Sequence, residues 1–156
     1  MSFRQAVLAT PDVATCYKTG LTALGTYSSK ISVSNTSILN GSVDIDTCTS
    51  GLYPNENRWD YAFAYDGEVF FIEIHSAKSG EVRTVIKKFN WLKDWLTNKA
   101  PEINKLKSRN RSPFYWIQSN SYSIPITSPQ YRIVAKTGIK PMLNSSHKCN
   151  FIFVQM

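Results

Sequence analysis

The sequence predicts a mixed α/β fold in the order helix, strand, β-hairpin, helix, strand, with a mixed central sheet flanked by helices. Three observations predict it. Asp66-Gly67 lies between two aromatic and β-branched runs, a strong short-range signal for a hairpin. Val82, Val85, Ile86, Phe89, Leu92 and Leu96 recur at helical spacing. A compact apolar run, Phe114–Gln118, follows as a further strand. At 156 residues the chain suits one domain, 1–156, with a core of its own.

Taken in order, residues 3–25 read as helical, interrupted at Pro11-Asp12 and stopped near Gly25. Residues 42–47 read as a short strand on which Asp44 and Asp46 share a face. Residues 49–57 hold Gly51, Pro54 and Asn55 and read as turns. The hairpin strands cover 59–65 and 68–77. The helix that follows opens at Ser79-Gly80-Glu81, with Ser79 as its cap, and ends before Pro101. Residues 99–111 read as a basic loop or frayed helix. Residues 131–135 and 151–154 read as further strands.

Composition narrows the class. Hydrophobic residues are 42% and charged residues 19%, the balance of a packed domain. No run approaches the roughly 18 apolar residues of a membrane span, and the N-terminus lacks the apolar stretch of a secretory signal. Cys16, Cys48 and Cys149 form no CxxC pair and read as free thiols in a reducing cytoplasm. The net charge of +7 is divided unevenly. Residues 1–79 carry five Lys/Arg against eight Asp/Glu, net −3. Residues 80–156 carry thirteen against three, net +10. An acidic half beside a basic half suits a cation site next to a surface that attracts a polyanion.

The hairpin carries the chemistry. A two-residue turn pairs Tyr65 with Glu68, Phe63 with Phe70 and Tyr61 with Ile72, so Asp60 falls opposite Glu73. Both share a face with Ala62, Ala64, Val69 and Phe71, and His75 lies about 6.6 Å further along that face. Tyr61, Phe63, Tyr65, Phe70, Ile72 and Ile74 occupy the other, core face. Two opposed carboxylates repel each other unless a cation sits between them. A hard ion such as Mg²⁺ or Mn²⁺ prefers carboxylate oxygens. Asp46 is a candidate third ligand, beside Asp44. Basic residues for a phosphate backbone stand at Arg83, Lys87 and Lys88 on the polar side of the helix, with Trp91 among them, and at Lys105, Lys107, Arg109 and Arg111 beyond it.

This order of elements, with Asp60 and then Glu73 and His75 on the hairpin, resembles the restriction-endonuclease-like, or PD-(D/E)XK, nuclease superfamily over about residues 42–96. The resemblance implies a metal-dependent nuclease acting on nucleic acid phosphodiesters. It implies that Asp60 and Glu73 bind the metal and that His75 stands where the motif has a Lys. Imidazole there can serve as a general base or a metal ligand. The missing Lys also allows a catalytically inactive domain of the same fold that binds nucleic acid or a protein partner.

Overall fold

The computed structural model describes residues 1–120 and 124–143. The expected strand at 151–154 and Cys149 lie outside the described residues. A five-stranded mixed sheet holds β1 (Leu39–Asp44), β2 (Tyr61–Tyr65), β3 (Glu68–His75), β4 (Phe114–Gln118) and β5 (Lys140–Met142) in that spatial order. The first three strands are antiparallel neighbours, and β4 and β5 run parallel to β3. Helices α1 (Phe3–Leu8), α2 (Ile45–Thr49), α3 (Val82–Asn98), α4 (Pro101–Leu106) and α5 (Pro129–Lys136) flank it.

The hairpin register is the one the turn requires: Tyr65 pairs with Glu68, Phe63 with Phe70 and Tyr61 with Ile72. Asp66 and Gly67 both take positive φ, 51° and 77°, the geometry whose twist matches paired strands. Both faces of the hairpin are buried. Phe63, Tyr65, Phe70 and Ile72 pack with Leu24, Ile31, Tyr115 and Ile117 on one side. Ala62, Ala64, Val69 and Phe71 pack with α1 and α3 on the other. Helix α3 buries Val82, Val85, Phe89, Leu92, Trp95 and Leu96, while Ile86 is half-buried.

Several expectations are corrected. Pro11 ends the first helix early: α1 stops at Leu8, a 3₁₀ turn covers Pro11–Val13, and 3₁₀ turns across Thr22–Lys30 break at Gly25 with φ 55°. Residues 42–47 are not one strand. The Asp44 carboxylate accepts from Thr47 N–H at 2.9 Å, caps α2 and so ends β1, which places Asp46 on a helix. Ser79 does not cap α3; a 3₁₀ turn, Ser79–Glu81, leads into it. Residues 101–106 form α4. Residues 131–135 belong to helix α5, because Ser128 Oγ accepts from Tyr131 N–H at 3.2 Å and Pro129 begins the first turn. Of the residues misread as a strand there, Val134 alone is fully buried.

Cys16 and Cys48 are disulfide-linked, with Cα atoms 6.3 Å apart, so they are not free thiols. Disulfides persist in oxidising surroundings, which removes the cysteine argument for a cytoplasmic location. Among the described residues, no helix is long and apolar enough to cross a membrane.

The sheet edge depends on one glycine. Gly41 has φ 123° beside the β1 irregularity, and a Cβ there would overlap the Tyr17 ring, whose hydroxyl donates to Asn40 O at 2.9 Å. Gly41→Ala is therefore expected to destabilise the protein by at least about 1–3 kcal/mol through overpacking alone. A chemical denaturation midpoint equal to wild type would contradict this.

Candidate active site

The candidate site forms at the carboxyl end of β3. Glu73 is fully buried, on the same sheet face as Phe71. Asp60 lies just before β2 and is locked to its neighbour strand by two bonds. Asp60 N–H donates to Glu73 Oε1 at 3.2 Å, and Ile74 N–H donates to Asp60 Oδ2 at 3.0 Å. The backbone oxygen of Asp60 in turn accepts from Ile45 and Asp46 N–H, at 2.8 and 3.2 Å, at the start of α2. The sequence-predicted pair is thus brought together on one face.

The repulsion between the carboxylates is answered by the chain itself. Lys88 Nζ stands between them, 3.2 Å from Asp60 Oδ1 and hydrogen-bonded to Glu73 Oε2. Its side chain is only 14% exposed, so it does not belong to the solvent-facing basic surface expected of it. The signal was present in the sequence. Lys88 lies three residues after Val85 and four before Leu92, both buried, so it borders the apolar stripe. Glu81, in the 3₁₀ turn that leads into α3, is read from the sequence only as an acid suited to the start of the helix. Its Oε2 lies 3.0 Å from His75 Nε2, and Glu73 Oε2 lies 3.4 Å from His75 Nδ1. His75 is therefore held between two carboxylates through both ring nitrogens.

The electrostatics follow from this enclosure. Burial, reinforced by the Glu73 charge, pushes the Asp60 carboxyl up to about 7, against the opposing pull of Lys88 and the Ile74 N–H. The hydrogen bond to Glu73 raises the His75 imidazole above its usual value despite burial, with Glu81 adding to it. Burial alone would lower Lys88, but the Glu73 and Asp60 charges outweigh it and hold the ammonium above its usual value.

Other expected site residues lie elsewhere. Asp46 does not join the pair: its carboxylate is held by Arg58 Nε at 2.8 Å. Among the described residues, no group of three or more His, Cys, Asp or Glu gathers to hold a metal ion. The two carboxylates that converge on the Lys88 ammonium are the type of donor a hard divalent ion takes. Mg²⁺ is commonly held by one or two carboxylates with substrate phosphate supplying the rest.

Arg83 and Lys87 are exposed on α3. Trp91 is not available for base stacking: it packs on Trp95 at 5.8 Å and edge-on to Tyr53 at 5.7 Å. Lys107 bridges to Val69, about 13 Å along β3 from Glu73, so the basic segment starts at the opposite end of the strand. Within it, Lys105 pairs with Glu102 at 2.8 Å, Lys107 lies over the Phe114 ring, and Arg109 is exposed. Arg111 is half-buried, its N–H donating to Ser108 Oγ at 3.2 Å.

The raised Asp60 pKa fixes the sign of a pH effect. The unfolded chain releases this proton near pH 4, whereas the folded protein keeps it to about 7. The contribution of neutral Asp60 is full below about pH 4 and is lost as pH rises through about 7. His75, also raised, adds a loss of the same sign above about 6.5. Asp60→Asn should flatten the pH 4–7 decline and leave the upper part. Denaturation midpoints across this range test it, and an unchanged slope would count against the assignment.

No family model, curated protein or solved structure matches the chain.

Proposed function

We propose that this protein is a divalent-metal-dependent nuclease with a restriction-endonuclease-like core, cleaving phosphodiesters of nucleic acid. The observation that supports this best is the convergence of Asp60 and Glu73 on one positive centre at the carboxyl end of β3. Asp60 and Glu73 would hold Mg²⁺ or Mn²⁺, which supplies Lewis-acid polarisation of the phosphoryl oxygen. Asp46, engaged with Arg58, is not part of this ligand set.

Lys88 supplies the ammonium that the motif places two residues after its acid, here from the neighbouring helix. It neutralises the carboxylates while they face each other and stands ready for the charge that develops on phosphate. His75 suits a positioning role for the Glu73 carboxylate. Glu73 and Glu81 engage both of its nitrogens and hold the ring in place beside Glu73. In the hydrolysis, a water oxygen bonds to phosphorus and the ester P–O bond breaks. The departing oxygen takes its proton from solvent, where the proton lost by the water is also taken up.

Purified protein with Mn²⁺ is expected to cut DNA or RNA, and Asp60→Ala, shown folded by circular dichroism, should cut at least about 10³-fold more slowly. This scale starts at the upper end of the roughly 10²–10³ loss from removing a single electrostatic contact. An inert wild type, or a variant as active as wild type, would overturn the assignment.

A second reading, a non-catalytic nucleic-acid-binding domain of this fold, is favoured by the separation of the Lys107–Arg111 region from the carboxylates. It predicts that Arg109→Glu weakens binding of a labelled DNA duplex and shallows its salt dependence by about one or two units of slope, while Glu73→Gln binds normally. Equal loss in both variants would refute it.

A further inference from the structure

The Asp60 peptide unit is a junction between two elements. Its N–H donates to Glu73 Oε1, while its carbonyl accepts from Ile45 and Asp46 N–H, at 2.8 and 3.2 Å. Those two donors open α2, where the first N–H groups have no partner within the helix. The register of β1 against β2 ends at Asp44 and Tyr61, so at Asp60 the strand ladder gives way to this helix start. The direction in which Asp60 presents its carboxylate therefore follows the placement of α2.

Helix α2 has only five residues, too few to hold itself in place. Its last turn is tied through Cys48 to Cys16. Its first turn is held by Arg58, whose Nε donates to Asp46 Oδ1 at 2.8 Å and to Asp46 O at 3.2 Å. Nη1 of the same guanidinium donates to Tyr53 O at 2.6 Å. Arg58 stands two residues before Asp60, and its side chain is 16% exposed. One planar group thus joins the start of α2, the turn after it and the chain entering Asp60. A Lys ammonium lacks the fixed fork that makes these bonds together.

We propose that Arg58 is a positioning residue for Asp60, acting through Asp46: it clamps the first turn of α2 onto the Asp60 carbonyl and so aims the Asp60 carboxylate at Glu73 and Lys88. The consequence for metal binding rests on the nuclease reading and deepens it. Asp46, although not a ligand, then acts on the ligand pair through the backbone. A clamp and a bare charge predict opposite signs. A bare cation repels Mn²⁺, so neutralising it would tighten binding, whereas losing a clamp loosens binding. Arg58→Lys keeps the charge and removes the fork.

The test is Mn²⁺ calorimetry on wild type, Arg58→Lys and Arg58→Gln, with amide hydrogen exchange followed by NMR in metal-free buffer. Both variants are expected to bind Mn²⁺ about tenfold more weakly, the low end of what outer-shell partners of a metal ligand are worth. The Asp60 and Ile74 amides, bonded to Glu73 Oε1 and Asp60 Oδ2, should exchange about threefold faster or more, as a local opening does. The Phe71 amide, bonded to Pro113 O in the same strand, should keep its wild-type rate. Unchanged exchange at Asp60 and Ile74 overturns the proposal, and so does equal acceleration at Phe71, which marks general loosening. Unchanged Mn²⁺ affinity, or tighter binding by Arg58→Gln, overturns it as well. A wild type that binds no Mn²⁺ and cuts no nucleic acid overturns the nuclease reading, while the exchange rates still decide whether Arg58 positions Asp60.

Discussion

Glu73 is a carboxylate with no solvent exposure in a sheet covered on both faces, and the site is arranged around that burial. A charge so placed persists only when paired and hydrogen-bonded. The pairing comes from Lys88, which ties α3 to the carboxyl half of β3. Phe89, the next residue, packs on Phe114 at 4.7 Å and edge-on to Trp59 at 5.9 Å. Apolar contact supplies most of the adhesion here, and the ion pair specifies which turn of the helix sits over the strand. A slip of one residue would rotate Lys88 by about 100° and leave Glu73 unpaired.

The same constraint explains the local chemistry. Asp60, Glu73 and Glu81 crowd two cationic groups, Lys88 and His75, and Asp60, His75 and Lys88 are each raised above their ordinary pKa. Enclosure disfavours the Asp60 anion. The hydrogen bond to Glu73 raises the imidazole pKa against that burial. Lys107 meets the opposite end of the strand, away from the carboxylates.

Parts of this were readable in the chain alone. The Asp66-Gly67 turn set the register, and period-two alternation then placed Asp60, Glu73 and His75 on one face and Phe63, Phe70 and Ile72 on the other. The strand Phe114–Gln118 and the buried stripe of α3 followed from local pattern. The misreadings share a cause. Residues 131–135 have strand-like composition, but a Ser128 cap and Pro129 outweigh it. Asp46 alternates correctly with Asp44 only until the Asp44 side chain ends the strand by capping a helix. Cys16 and Cys48 are 32 positions apart, and nothing local announces their meeting.

What the sequence determined by itself is therefore what short-range geometry dictates: a turn type, the alternation of a hairpin, the periodicity of an amphipathic helix, and two acids opposite each other. The tertiary structure decided what stands next to those acids. Lys88 and Glu81 reach the site from α3 and the 3₁₀ turn before it, whose placement depends on packing between elements distant in the chain. A charge on the border of an apolar stripe can turn to solvent or into the core. The choice rests on whether a buried opposite charge waits there, which is a property of the folded assembly and not of the residues near it in sequence.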